Sequence, residues 1–509
     1  MLRANSVYSS VGLVVAPQQL LKASCRLIVP LLGILFAMTW WATSQRTPYA
    51  VLDDYRMISA TKAMRPFLIE GHAETEMVTG RIIPAFLFDL VWIGVRSIDD
   101  LWYVRLIGIA VVAATVLLYQ IWLIRYADIT SLLARTSVGC TTFIVLLLPC
   151  VSATTTWAQK ATQLFALPLA MLAGVLTTAP KLRLQTWGGV VALIFMSVFS
   201  YQHFVAVAML PLAIAVGITK SRFEKPPIFR IWILLAIMVS ALVTNVVFVR
   251  LVASDVLERV YGRSLSNRVA ETWDVLGKGG NLFIDQDALL ISISASLILA
   301  IVTMSLAMNK RLIFVCIAIS LAVGCSIAIT LGGDGDSSYR MTFPTQFSLW
   351  LGLGSLISVT LQQRRDGGAL NWARVLGVAI LVAASMVTMV ESRKVLGAKI
   401  SFANAEDWTS LNCHIRSLEP NASIDDVVVR LAPTTISGPQ RVASEIGLLA
   451  RHVEWIFRDQ WELAINSNLR FGAVDQLNLV VVDYDQRLPP ESDRVTTIDL
   501  QTICLENPQ

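Results

Sequence analysis

Residues 187–219 read WGGVVALIFMSVFSYQHFVAVAMLPLAIAVGIT, an apolar stretch broken near its middle by Ser200, Tyr201, Gln202 and His203. About 20 apolar residues cross a bilayer core of about 30 Å, so the run is too long for one span. Polar residues at its centre predict two short spans and a tight turn, because backbone polar groups in lipid must be satisfied locally. Tyr201, Gln202 and His203 then either hydrogen-bond a sugar or satisfy the backbone of that turn.

The same pattern repeats along the chain. Apolar runs at 27–44, 102–124, 136–152, 163–179, 187–201, 203–219, 231–250, 286–308, 312–331, 342–361 and 372–390 predict an α-helical polytopic membrane protein of about eleven spans. With 55 % hydrophobic and 15 % charged residues in 509, the chain holds more apolar surface than one soluble core can bury, and its mean hydropathy of +0.63 agrees. The net charge of +5 does not point to nucleic acid, because the basic residues recur in short clusters between apolar runs.

Those clusters fix an expected topology. A cytoplasmic N-terminus over 1–26, carrying Arg3, Lys22 and Arg26 and read as an uncleaved anchor, makes every second connection cytoplasmic. These are Arg125 to Arg135, Lys181 with Arg183, Lys220 to Arg230, Lys310 with Arg311, and Arg364 to Arg374. The connections 45–101, 153–162, the break at 201–203, 251–285 and 332–341 and the segment 396–509 then face outward, away from the cytoplasm. The alternation requires that 82–97, with Pro84 and Asp89 inside it, lie in the interface or re-enter. The membrane part is thus expected over 27–395.

The outward connections hold the chemically suggestive residues. Asp53, Asp54 and Tyr55 follow the first span; adjacent carboxylates do not face each other on a helix, so one can meet a substrate while the other orients a neighbour. Equally, both can cap the following helix. The acidic stretch Glu70 to Glu76 reads as a solvated turn or a divalent-ion site. Arg81 is expensive at membrane depth unless it meets an anion, and phosphate fits it bidentately; snorkelling to headgroups is the other reading. Asp99 and Asp100 read as helix caps and Trp102 as an interface anchor. Arg105, one turn inside the next span, needs a partner, for which a carboxylate of the first outer loop is the natural candidate. Arg340, at the start of a late span, reads as a second anion-facing arginine.

Asp53-Asp54-Tyr55 after the first span, Gly80-Arg81 before a helix of the first outer loop, Tyr201-Gln202 between paired apolar helices and Tyr339-Arg340 before a late span resemble the Gtr-type O-antigen glucosyltransferases. These belong to the multi-span GT-C class. The resemblance implies transfer of a sugar, expected to be glucose, from a polyprenyl-phosphate donor to a surface polysaccharide or glycolipid acceptor on the periplasmic side. It further implies that Asp53, backed by Asp54, is the general base, that Arg81 and Arg340 bind the donor phosphate, and that Tyr55, Tyr201, Gln202 and His203 contact substrate. No cofactor is required by this chemistry, and the acidic loop leaves room for a divalent cation. A polysaccharide polymerase and a lipid-linked sugar flippase or other transporter are the competing classes.

From about residue 400 the composition changes to that of a small α/β domain, with helix-like 404–418, strand-like 426–430, a helical stretch around 440–463 and strand-like 477–483. Cys413 and Cys504 are its two cysteines, either paired in an oxidising compartment or left as unlinked thiols. Cys140, Cys150, Cys316 and Cys325 lie in apolar runs and read as packing residues.

Overall fold

The computed structural model describes residues 17–45, 49–51, 54–55, 57–58, 76–77, 79–218, 224, 226–252, 321, 343–362, 368–393, 403–417, 426–432, 454–467, 478–483, 485–490, 495–501 and 504. The described residues form a helical body and a small α/β domain. In chain order the body contains α1 (Pro17–Ser44), α2 (Ile82–Trp92), α3 (Leu101–Tyr126), α4 (Leu132–Leu146), α5 (Pro149–Thr156), α6 (Ala166–Thr177), α7 (Leu184–Val198), α8 (Met209–Gly217), α9 (Phe229–Val252), α10 (Phe343–Gln362) and α11 (Gly368–Arg393).

Among the described residues three helical segments are long and apolar enough to cross a membrane: 98–126, 158–177 and 229–252. A fourth is reached if α4 and α5, bent by 51°, count as one. The expected eleven spans therefore appear only in this coarser form. The shortfall has local causes. Pro149 opens α5 without an N–H and holds Leu148 extended, which breaks the expected span 136–152. The two halves of 187–219 form α7 and the 3-10 turn 202–208 running into α8, each under 18 residues. Helix α10 carries Thr345, Gln346, Ser348, Ser355, Ser358 and Thr360 among its apolar residues. The segments 286–308 and most of 312–331 lie outside the described residues. Helix α2 is 11 residues, about 16 Å, and is too short to cross.

The outer face of the body suits lipid. Trp232, Val239, Val243 and Val247 on α9, and Leu31, Leu32, Leu35 and Phe36 on α1, are exposed. Between helices the packing uses small residues and hydroxyls: a Cβ on Gly354 would come within 2.1 Å of Thr141 Oγ1, Tyr119 and Ser355 hydroxyls lie 2.6 Å apart, and Ser358 donates to Ser137 at 3.0 Å. Close contacts of this kind are the ones helix pairs use in lipid, where the hydrophobic drive between helices is absent.

The helices alternate in direction between two ends. At one end Gln362 Oε1 accepts from the Thr130 and Ser131 N–H groups at 2.9 Å, and Arg230 donates to the Thr177, Ala179 and Pro180 carbonyls, closing the C-terminus of α6. This end carries Arg125, Arg135, Lys181, Arg183 and Arg230. At the other end Trp40 Nε1 donates to the Met389 carbonyl at 3.1 Å, which brings the C-termini of α1 and α11 together. The residues after α1, the α5–α6 connection and the turn at 199–203 gather at this second end.

The α/β domain consists of α12 (Ala403–Ser417), β1 (Asp426–Arg430), α13 (Glu454–Ser467), β2 (Asn478–Val482) and β3 (Val495–Asp499). Its three strands are parallel in the order β2-β1-β3, with Val427 opposite Leu479 and Thr496. Val427 and Val429 meet Leu411, Ile415, Phe457 and Trp461 of the two helices. Arg430 pairs with Asp499 across β1 and β3. Cys413 on α12 and Cys504 beyond β3 form a disulfide across 91 residues, and Ser410 Oγ accepts the Cys504 N–H at 3.1 Å.

Candidate functional site

Two polar clusters occupy the end that faces the α/β domain. The first centres on Asp54, which is fully buried. Its Oδ2 accepts from Arg105 Nη2 at 3.2 Å and the Val51 N–H at 3.1 Å, and its Oδ1 accepts from the Gln159 N–H at 3.1 Å. Arg105 also donates through Nε to the Thr156 carbonyl at 2.6 Å and through Nη2 to the Tyr49 carbonyl at 2.8 Å. Its guanidinium lies 3.7 Å from the Tyr49 ring centre. The turn before α3 is closed separately: Asp100 Oδ2 accepts the Arg96 and Ser97 N–H groups and the Ser97 hydroxyl.

Burial pushes the Asp54 pKa up to about 6, against the pull of Arg105 and the two backbone N–H groups. Burial likewise pushes Tyr49 up to about 12, with Arg105 pulling the other way. Asp54 therefore stays ionised at neutral pH with both oxygens engaged.

The second cluster is built on a turn before α2. Gly80 there has φ +78°, and a Cβ would meet Asn245 at 2.6 Å and Val249 at 2.8 Å. Glycine is thus needed both for the backbone and for the approach to α9. Asn245 Nδ2 donates to the Gly80 carbonyl at 2.8 Å and its Oδ1 accepts from Gln202 Nε2 at 3.0 Å, while Gln202 Nε2 also reaches the Thr79 carbonyl at 3.2 Å. Arg81 Nη1 is 3.6 Å from Glu76 Oε2, and its guanidinium lies 5.0 Å from the Tyr201 ring centre. Tyr201 in turn packs on His203, 4.8 Å between ring centres. Glu76 Oε1 accepts from Gln163 Nε2 at 2.8 Å.

The segment 157–165, two 3-10 turns between α5 and α6, ties the clusters together. Its Gln159 N–H holds Asp54 and its Gln163 side chain holds Glu76. Between them Lys160 is buried with its ammonium 4.8 Å from the Trp157 ring centre.

The structure brings Arg81, Tyr201, Gln202 and His203 into one cluster and places Asp54 in the other. The Tyr55 hydroxyl accepts from Gln460 of the α/β domain. Asp53 and Arg340 lie outside the described residues. Glu76 is buried and paired, unlike the solvated turn expected for its stretch. Sequence reasoning missed Gln159, Lys160, Gln163 and Asn245. Asn245 had a signal, an amide inside an apolar span; Gln159 and Lys160 lie in a connection whose length suggested only a loop, and Gln163 stood as the first residue of the span expected over 163–179. Among the described residues no three His, Cys, Asp or Glu side chains gather as metal ligands.

Compared with known proteins, the chain matches no family model and no curated sequence.

Proposed function

We propose that the protein is a membrane glycosyltransferase that moves a sugar, with glucose as the first candidate, from a polyprenyl-phosphate donor to a polysaccharide or glycolipid acceptor. In this reading the chain crosses a bacterial plasma membrane about eleven times, with its N-terminus cytoplasmic and the α/β domain outside. The observation that most supports it is the gathering of Arg81, with its aromatic and amide neighbours, and the loop bearing Asp54 at the end opposite the basic clusters. A lipid-linked phosphate arrives at that depth, and an arginine is the side chain that fits it.

The chemistry assigned to these residues is a direct displacement. The acceptor hydroxyl oxygen forms a bond to the anomeric carbon, and the bond from that carbon to the phosphate oxygen breaks with its electron pair. The hydroxyl proton passes to a carboxylate, and the anomeric centre inverts. Asp53 is the base in this reading. Asp54, saturated by Arg105 and two N–H groups, holds the loop that carries it. Arg81, with Arg340 beside it in the scheme, offsets charge developing on the leaving phosphate. Gln202 and His203 stand next to Arg81 as candidate contacts to the sugar.

Membranes carrying the protein should transfer label from a polyprenyl-phosphate sugar to an acceptor, and Asp53→Asn should abolish transfer without lowering protein level. Label that reaches only lipid-linked repeats and lengthens them would reassign the protein as a polymerase.

A further inference from the structure

Helix α13 buries two faces. Phe457, Trp461, Ala464 and Ile465, at helical spacing, pack on the sheet of their own domain. Gln460 and Leu463 turn the other way, toward the residues that follow α1. Leu463 joins Tyr55, Met57 and Ile58 in one apolar cluster with Phe88 and Trp92 of α2. Gln460, 1 % exposed, donates through Nε2 to the Tyr55 hydroxyl at 3.0 Å and to Asp407 Oδ2 at 3.2 Å. Trp408 of α12 lies beside the Tyr55 ring, 6.0 Å between centres.

An amide and a carboxylate buried in an otherwise apolar contact cost stability unless they are hydrogen-bonded. A contact needed only for packing is served better by leucine. What the Asp407–Gln460–Tyr55 chain adds is a fixed direction: the phenol has one place to sit, and Tyr55 is the residue after Asp54. The α12–α13 unit that presents Asp407 and Gln460 is itself closed on the sheet by the Cys413–Cys504 bridge. We infer that the α/β domain is a positioning element for the membrane site, in which Gln460, steered by Asp407, fixes Tyr55 and through it the neighbouring Asp54. Its consequence for turnover rests on the glycosyltransferase reading; the contact itself does not.

Two measurements separate these. In the detergent-solubilised full chain, Gln460→Leu and Tyr55→Phe should each speed tryptic cleavage at Arg56 or Lys62 several-fold, and the double variant no further than Gln460→Leu, because both break the Tyr55–Gln460 hydrogen bond. Asp407→Asn combined with Gln460→Glu keeps the hydrogen bonds with donor and acceptor exchanged, and should restore the wild-type cleavage rate where either change alone does not. In membranes, Gln460→Leu should lower kcat for sugar transfer about tenfold while KM for the donor stays within about twofold, the pattern of a displaced base rather than a lost binding contact. Unchanged cleavage in both single variants, additive effects, or failure of the exchanged pair overturns the positioning role. A KM effect with unchanged kcat overturns it as well. If no transfer is detected in the wild type, the glycosyltransferase reading falls and the cleavage results still decide the contact.

Discussion

The Asp54 and Arg81 clusters use the same parts, an arginine, a carboxylate and a tyrosine ring, at the same end of the helical body, and finish them differently. Arg105 has three oxygen acceptors within 3.2 Å and a ring at 3.7 Å, and neither its side chain nor that of Asp54 is more than 3 % exposed. Arg81 stands 3.6 Å from its carboxylate and 5.0 Å from its ring, with 12 % of its side chain exposed. A saturated, buried arginine is committed to the fold. One that keeps some exposure and stands 3.6 Å from its carboxylate can exchange that carboxylate for a phosphate.

The largest expected effect follows from the first half of that contrast. Arg105→Ala leaves a buried carboxylate without its cation, which costs about 3–5 kcal/mol in comparable buried pairs. The protein should accumulate poorly, and its melting temperature in detergent should fall far more than for Arg81→Ala. Asp54→Asn keeps the shape and should be milder in stability but severe in transfer. Equal melting temperatures for the two arginine variants would break the contrast.

Gly80→Ala comes next. The left-handed backbone alone costs about 1–2 kcal/mol for a residue with a Cβ, and Asn245 and Val249 stand where that Cβ must go. Since Gly80 sets the position of Arg81, the variant should lose donor use beyond its loss of stability. A variant with normal donor dependence would separate the turn from the site.

How much of this was legible in sequence depended on whether the signal was local. Strand β1 and the flanks of α12 and β2 could be read from alternation and composition to within a residue or two, because those elements are short and regular. The break at Ser200 to His203 and the need of Arg105 for a carboxylate were legible too, since polar groups in an apolar run must find partners. That the partner is Asp54, or that Glu76 and Gln163 meet, depends on contacts across 51 and 87 residues, and no spacing encodes them. The 51° bend at Pro149 was hidden for another reason: proline is tolerated within membrane helices, so its presence did not decide between a kink and a full break.

A pH series sharpens the first cluster. With its folded pKa raised to about 6 from the usual 3.8, Asp54 binds its proton more tightly folded than unfolded. Its contribution to stability is therefore present below about pH 4 and lost as pH rises through about 6. Transfer should respond in the opposite sense, because only the ionised carboxylate holds Arg105, falling up to about tenfold per pH unit below 6. Subtracting the melting profile of Asp54→Asn from that of the wild type should isolate the slope between pH 4 and 6. A flat difference would mean that Asp54 titrates at its ordinary value and that its burial is relieved by water.

The smallest effects are expected at Arg81, where sign matters more than size. Arg81→Ala should raise KM for the donor about tenfold, the equivalent of about 1.4 kcal/mol, with kcat changed less. Arg81→Lys should recover part of this, because an ammonium keeps the attraction but loses the two-pronged geometry. Glu76→Gln is the more telling change. Its Oε1 can still accept from Gln163, so the buried contact survives, while the carboxylate that competes with phosphate for Arg81 is gone. If the guanidinium exchanges partners during binding, this variant should use donor as well as or about two- to threefold better than wild type. Neutralising the carboxylate beside Arg105 lowers transfer; neutralising the one beside Arg81 should not. A Glu76→Gln variant that loses transfer as Asp54→Asn does would show that both arginines are held for structure, and the phosphate would then have to be sought elsewhere at this end.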